Sequence, residues 1–384
     1  MESARNTLLR LKSEGRKIIG CFPLYPPLEL LHSMGLVPVV LWGLSDGVRA
    51  TPDADGRIQN YACSVARRLA QFVMAEGKDL LDGLFFYNAC DTLRNLPEIL
   101  LEGVAESGAA PLPMFRMHVP MTPPAQADQS EYLRNEVRSL IAGLEEHFGA
   151  RFSEESFARS VKLYSAMRSL CRLMEAAVLE GRLSFADFCE ALSAAGFLPV
   201  EDQIALLESR LASLPPGPSP KNIAGRVMVS GILPPPLAVC RHMDDAGLLV
   251  VGNDIASLYR SYAPGPEEWK DAPDYYARFY RGHFPCTTLL NTAGKRMDEV
   301  LALALEKGAD GFVFAGEKFC EYEYFEIPDL NRLLKARGLA TLAIEISMDD
   351  EENTALYRTR LEAFAEVLSD RNRPGTEEPE GGRK

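Results

Sequence analysis

Lys17-Ile18-Ile19-Gly20-Cys21, then Pro26-Pro27-Leu28-Glu29-Leu30-Leu31 running to Gly35, then Val37 to Leu41: this opening stretch decides the fold. A short apolar run, a helix opened by proline and stopped by glycine, and a second apolar run make a strand–helix–strand unit. Working outward, Ser64 to Glu76 predicts a helix with Val65, Leu69, Phe72 and Val73 on one face. Gly83-Leu84-Phe85-Phe86-Tyr87 predicts a strand ending near Cys90, Leu93 to Val104 a helix, and Leu112 to Val119 an extended segment. Strands alternating with helices predict a parallel sheet.

From Ser130 to Leu214 the pattern changes to helices alone. Tyr132, Val137, Leu140, Ile141 and Leu144 form one apolar stripe, and Phe157, Val161, Tyr164 and Met167 another. Pro215-Pro216-Gly217-Pro218-Ser219-Pro220 then reads as a linker. The α/β alternation resumes with strands at Val227–Val229, Leu248–Val251, Gly311–Phe314 and Leu342–Ile346. Helices fall after Pro234-Pro235-Pro236, over Met297–Lys307 and Pro328–Arg337, and from Thr354 to Leu368.

The two α/β segments resemble each other. Pro26-Pro27-Leu28 to Gly35 parallels Pro235-Pro236-Leu237 to Met243, and Cys90 follows its strand as Cys320 follows Phe312-Val313-Phe314. The chain thus divides into an N-terminal α/β lobe (1–125), a helical insert with a Pro-rich linker (126–220), a C-terminal α/β lobe (221–370) and a tail (371–384) expected to be disordered.

Composition narrows the function. With 384 residues and 47% apolar content the chain has material for two or three domains of a globular protein. A net charge of −13 argues against nucleic acid as a partner, since phosphate binding needs a basic surface. No apolar run approaches the ~20 residues of a membrane span. Met1 to Lys17 has no signal-peptide core, so a cytoplasmic protein is expected.

Eight cysteines are present, none in a CxxC pair, so neither zinc ribbons nor a disulfide framework is supported. A metal site must therefore be assembled from distant thiols. In an open parallel sheet, ligands sit outside the carboxyl ends of the strands. Cys90 and Cys320 follow strands at corresponding places in the two halves, and Cys63 precedes a helix whose free N–H groups favour a thiolate. Three convergent soft thiolates suit an iron–sulfur cluster. Spacing alone leaves open that the three are separate packing residues. Cys21 and Cys286 are candidate extra ligands or buried thiols, and Cys171, Cys189 and Cys240 read as packing residues. His32 and His242 read as structural and His147 as solvated, while His118 and His283 fall in loops. Arg94 reads as a phosphate contact or a helix-surface arginine, and Glu321 and Glu323 as acid/base groups or loop charges.

The motifs resemble those of subunits of the 2-hydroxyacyl-CoA dehydratase and benzoyl-CoA reductase family along nearly the whole chain. The resemblance is carried by Gly20-Cys21-Phe22-Pro23-Leu24-Tyr25-Pro26-Pro27-Leu28-Glu29-Leu30, by Cys63-Ser64-Val65-Ala66-Arg67, and by Asp82-Gly83-Leu84-Phe85-Phe86-Tyr87-Asn88-Ala89-Cys90-Asp91-Thr92. Gly311-Phe312-Val313-Phe314 with Lys318-Phe319-Cys320-Glu321 completes it. The resemblance implies two Rossmann-like parallel-sheet lobes with a helical insert. It implies a [4Fe–4S] cluster on Cys63, Cys90 and Cys320, a homologous partner subunit, and an ATP-dependent iron–sulfur activator protein. It implies an acyl-CoA substrate that is reduced to a ketyl radical and loses its 2-hydroxyl. Net reduction, as in benzoyl-CoA reductases or double-cubane proteins, and a non-catalytic electron-relay role are its alternatives. No GxxxxGK[ST] occurs, which assigns ATP hydrolysis to the partner. Gly252-Asn253-Asp254-Ile255-Ala256 departs from the family pattern, offering no thiol where many members have a cysteine. The acyl chain, the catalytic base and the homo- or heteromeric pairing are not specified.

Overall fold

The structure, a computed structural model, describes residues 4–22, 24–42, 47–106, 108, 110–121, 129–217, 222–289, 294–348 and 354–372. The element order is α1 (Ala4–Ser13), β1 (Lys17–Cys21), α2 (Leu28–Ser33), β2 (Leu36–Val40), α3 (Pro52–Asp55) and α4 (Ser64–Phe72). A π-helical turn (Val73–Gly77), α5 (Lys78–Leu80), β3 (Gly83–Tyr87), α6 (Asp91–Glu106) and β4 (Met114–Met117) complete the first α/β segment. Four helices follow: α7 (Gln129–Phe148), α8 (Glu154–Leu179), α9 (Phe185–Ala195) and α10 (Val200–Ala212). The second α/β segment holds β5 (Gly225–Ser230), α11 (Leu237–Asp245), β6 (Leu248–Asn253), α12 (Ala272–Gly282), α13 (Lys295–Glu306), β7 (Gly311–Glu317), α14 (Glu321–Tyr324), α15 (Ile327–Ala336), β8 (Ala340–Ile346) and α16 (Ala355–Asn372).

The two sheets have one topology. Their orders are β2-β1-β3-β4 and β6-β5-β7-β8, and every pairing between neighbouring strands is parallel. This is the α/β architecture of two Rossmann-like lobes that the repeated sequence pattern predicts. The central strands β3 and β7 are buried at every residue, because helices cover both faces of a parallel sheet. In each sheet the order reverses beside the first strand, so a crevice opens outside the carboxyl ends of β1 and β3, and another outside those of β5 and β7. Gly231 marks the second crevice: a Cβ there would lie 2.5 Å from the Ala315 carbonyl oxygen. Gly231→Ala is expected to cost about 2 kcal/mol or more by forcing backbone apart. A urea midpoint equal to that of the wild type would show that the backbone yields freely.

Several boundaries differ from expectation. The helix expected over Ser64–Glu76 ends at Phe72 and widens into the π-turn. The closing helix runs on to Asn372, so residues 371 and 372 belong to it rather than to the tail expected from 371 to 384, whose remainder from 373 lies outside the described residues. Residues 218–220 of the Pro-rich linker also lie outside them. Helix α12 adds to the expected elements. Its start is nonetheless legible, since the Asp271 carboxylate caps the helix by accepting the Asp274 N–H and Pro273 occupies the first turn.

Helix α12 joins the halves. It belongs to the second α/β segment in sequence, yet Tyr275, Tyr276, Phe279 and Tyr280 pack in the core of the first. Tyr275 and Tyr276 hydroxyls donate to the Glu29 carboxylate of α2 at 3.0 and 2.8 Å, and Arg168 of α8 reaches the same carboxylate at 2.6 Å. Glu29 is 1% exposed. Helix α8 also ties the insert to the second sheet, where the Asn253 amide donates to Glu175 Oε1 at 2.7 Å.

Burial pushes the Glu175 carboxyl up from 4.5 to about 7, against the Tyr262 hydroxyl, Lys307 and Arg172, which lower it. The folded protein therefore binds this proton more tightly than the unfolded chain. The stabilisation is full below about 4.5 and disappears as pH rises through about 7. Glu175→Gln is expected to abolish about 2–3 kcal/mol of stability loss between pH 5 and pH 8, read from urea melts at the two values. Parallel losses in variant and wild type would assign the titration to another group. Among the described residues no helix is long and apolar enough to cross a membrane.

Candidate metal centre between the lobes

The three cysteines singled out by sequence are half-buried, whereas Cys21, Cys171, Cys189, Cys240 and Cys286 are buried. Cys63 is the residue before α4, with extended backbone (φ −58°, ψ 148°). Cys90 follows β3 and precedes α6, and its Sγ accepts the Leu93 N–H at 3.4 Å. Cys320 follows β7, with its N–H on the Glu317 carbonyl at 2.9 Å. Phe319 before it has φ +66°, a left-handed backbone that L-residues adopt only under constraint. Leu24, after β1, has φ +94°. These two non-glycine residues of positive φ sit on loops at the carboxyl ends of the two sheets, where strain accompanies function.

Hydrogen bonds between the lobes join the segments that carry Cys63 and Cys320. Ser64, next to Cys63, donates both its N–H (3.1 Å) and its hydroxyl (2.5 Å) to Glu317 Oε1, and Glu317 is three residues from Cys320. The Met348 N–H donates to Ser64 Oγ at 3.0 Å, and Arg68 of α4 donates to the Met348 carbonyl. Helix α4 of the first lobe is thereby docked on the ends of β7 and β8. Burial and then the Glu317 carboxylate push the Cys63 thiol up to about 12, with Cys90 adding to the rise and the Ala66 N–H and Arg67 opposing it. Cys63 and Cys90 are thus within electrostatic reach of each other. Burial raises Cys90 as well, against the Leu93 and Thr92 N–H groups. The phenol of Tyr322 is raised by burial first, then by Asp91, Cys90 and Cys320, so it feels both cysteines.

Two expectations are refined. The N–H groups at the start of α4 do not by themselves make Cys63 a thiolate, because desolvation outweighs them. Among the described residues, no three His, Cys, Asp or Glu side chains stand close enough to hold a single ion. A single tetrahedral ion with bonds of ~2.3 Å draws its thiolates to within ~4 Å of one another, whereas a four-iron cube carries each ligand on a separate iron and spaces them wider. Three half-buried thiols, two of them with N–H donors on the sulfur, are a donor set of the kind an iron–sulfur cluster takes.

The remaining candidates fall elsewhere. Cys21 is wholly buried and raised by desolvation. The Cys286 sulfur accepts a hydrogen bond from Arg260 Nη1 at 2.9 Å. Cys171, Cys189 and Cys240 lie in α8, α9 and α11 as packing residues. His32 contacts Ser160 and Glu201, His242 contacts Thr354, and exposed His147 packs edge-on to Phe115. His118 contacts the Tyr132 hydroxyl at 3.1 Å. Desolvation lowers His283 to about 4. Arg94 pairs with Asp91 at 3.1 Å on the surface of α6, Glu321 is exposed, and the side chain of Glu323 lies outside those described. Ile255 and Ala256 are wholly buried. Sequence reasoning missed Ser64, Glu317 and Tyr322. Each neighbours a cysteine motif, but only the folded chain shows that they bridge lobes.

Comparison with known proteins places this geometry in a family. The chain is 24% identical over 363 residues to the (R)-phenyllactyl-CoA dehydratase beta subunit of Clostridium sporogenes, covering 93% of each chain. It is 27% identical over 375 residues to the (R)-2-hydroxyglutaryl-CoA dehydratase subunit beta of Acidaminococcus fermentans, covering 95% of this chain and 96% of the relative. To one of the subunits of the benzoyl-CoA reductase of Thauera aromatica it is 25% identical over 328 residues, with 82% of this chain and 81% of the relative covered. The family model described as 2-hydroxyglutaryl-CoA dehydratase, D-component, matches residues 23–368, and the chain belongs to that family.

Proposed function

We propose that this chain is the iron–sulfur subunit of a 2-hydroxyacyl-CoA dehydratase, a lyase that removes water from an acyl-CoA thioester by a radical route. The observation that supports the reading is the hydrogen bonding of Ser64, beside Cys63, to Glu317, three residues before Cys320, with Cys90 in electrostatic reach of Cys63 and only these three of the eight cysteines half-buried. In this reading Cys63, Cys90 and Cys320 hold a [4Fe–4S] cluster. When bound, such a cluster supplies a low-potential electron and one iron left open by its three protein ligands.

The chain's own residues prepare the site. The Leu93 and Ala66 N–H groups are donors to the sulfurs of Cys90 and Cys63. Ser64 and Glu317 tie the lobes together, and Tyr322 lies within electrostatic reach of Cys90 and Cys320. The beta-subunit names of the relatives support a partner subunit, and the sequence resemblance supplies the further reading that this partner is homologous and that a separate ATP-hydrolysing iron–sulfur activator delivers the electron.

The test is a product assay. The anaerobic complex with its partner and activator, given a panel of 2-hydroxyacyl-CoA thioesters, is expected to form the 2-enoyl-CoA. The benzoyl-CoA reductase relative favours a second reading, net reduction of the substrate. A product richer in hydrogen, with no water lost, would select that reading. No turnover of any thioester would leave an electron-relay role.

A further inference from the structure

A cavity of about 500 Å³ is lined by Tyr259, Tyr262, His283, Phe284 and Cys286 among others. Polar groups continue from it toward the metal centre. Cys286 Sγ, held by Arg260, lies 3.2 Å from Thr288 Oγ1, and Thr288 Oγ1 lies 3.4 Å from the Tyr87 hydroxyl. In both contacts either group can donate, so the chain has no fixed direction. Tyr87 ends β3 three residues before Cys90, and its phenol feels both Cys286 and Cys90.

A second observation points to what fills the space around this chain. The Tyr25 hydroxyl, His283 Nε2 and Thr287 Oγ1 are buried and make no hydrogen bond of good geometry to protein among the described residues, Cys286 lying near the first and the Arg260 backbone near His283. Tyr25 is 3% exposed, its ring packs on His283 at 4.2 Å, and its phenol interacts with Cys286. Buried polar groups without protein partners are satisfied by ordered water where the site is polar and roomy.

We propose that this cavity is the mouth of a water-filled channel that runs past Cys286, Thr288 and Tyr87 to the cleft of Cys90 and carries water and protons between solvent and the cleft. Eliminating water breaks a carbon–oxygen bond, and the departing hydroxide takes up one proton before it leaves. Tyr87 gives that proton and recovers one from Thr288, Thr288 from Cys286, and Cys286 from cavity water; the proton released from the carbon beside the hydroxyl-bearing one passes to solvent and neutralises the hydroxide left there, so that one water forms in all. No electron moves, and the chain returns to its starting composition. This use rests on the dehydratase reading, whereas the channel itself does not.

Radiolytic footprinting of the full chain in ¹⁸O-labelled water tests it. Solvent oxygen is expected at Tyr25, Tyr87 and Cys286, after correction for intrinsic reactivity, and not at Phe157, which is equally buried in apolar surroundings. Ala263→Trp, at the cavity wall, is expected to abolish labelling of Tyr87 and Cys286. If that variant does not fold, the wild-type pattern decides. Tyr87 and Cys286 as unlabelled as Phe157, or labelled equally in folded Ala263→Trp, overturn the channel. Iron content of the same sample reports separately: an iron-free chain that still labels Tyr87 keeps the channel and removes the cluster.

Discussion

Cys90→Ala is expected to abolish cluster binding and leave the fold intact. The sulfur is half-buried and accepts a long N–H hydrogen bond from Leu93, so truncation costs about 1 kcal/mol of stability. That is small beside the ~5–15 kcal/mol by which domains are stable. For a cluster on three protein thiolates the loss is of another order, because the remaining two cannot hold it. Anaerobically purified wild type is expected to be brown, with the broad absorbance near ~400 nm of thiolate-bound iron. Cys90→Ala is expected to be colourless with unchanged far-ultraviolet circular dichroism. Cys171→Ala, at a packing cysteine of α8, is the control and is expected to keep the colour. Equal iron in both variants would show that Cys90 is no ligand.

Glu29→Ala is expected to destabilise the protein by about 3–5 kcal/mol, the cost of leaving one member of a buried ion pair without its partner. Arg168 and Glu29 are both almost wholly buried, and the same carboxylate accepts from Tyr275 and Tyr276. Truncation strands a guanidinium and two phenols at the point where α2, α8 and α12 meet. The double variant Glu29→Leu, Arg168→Met removes both charges and is expected to recover much of the loss, since apolar replacements of buried pairs are often neutral. Denaturant unfolding reads both. A loss under about 1 kcal/mol in the single variant would mean that water reaches the pair.

The α/β repeat is legible because parallel strands buried on both faces must be apolar throughout. Gly83–Tyr87 and Gly311–Phe314 announce themselves for that reason. Helix ends are less legible, since Ser64–Glu76 reads as one helix until tertiary packing widens its last turn. Helix α12 escapes a sequence reading because its Tyr and Phe side chains serve the first lobe's core, and no local pattern states which core a helix joins. For the candidate site, the places of Cys63, Cys90 and Cys320 beside strands and helices leave ligand and packing roles open, and only the family resemblance singles the three out. Ser64, Glu317 and Tyr322 cannot be named from sequence, because the contacts that matter there span 253 residues of chain between Ser64 and Glu317.

Iron and acid-labile sulfide measured per chain, on protein purified without oxygen, addresses the assignment of Cys63, Cys90 and Cys320 most directly. The account predicts about four of each, as a single [4Fe–4S] cluster requires, and loss of both in each of the three cysteine variants. An iron-free wild type, or iron retained when all three cysteines are replaced, would contradict it.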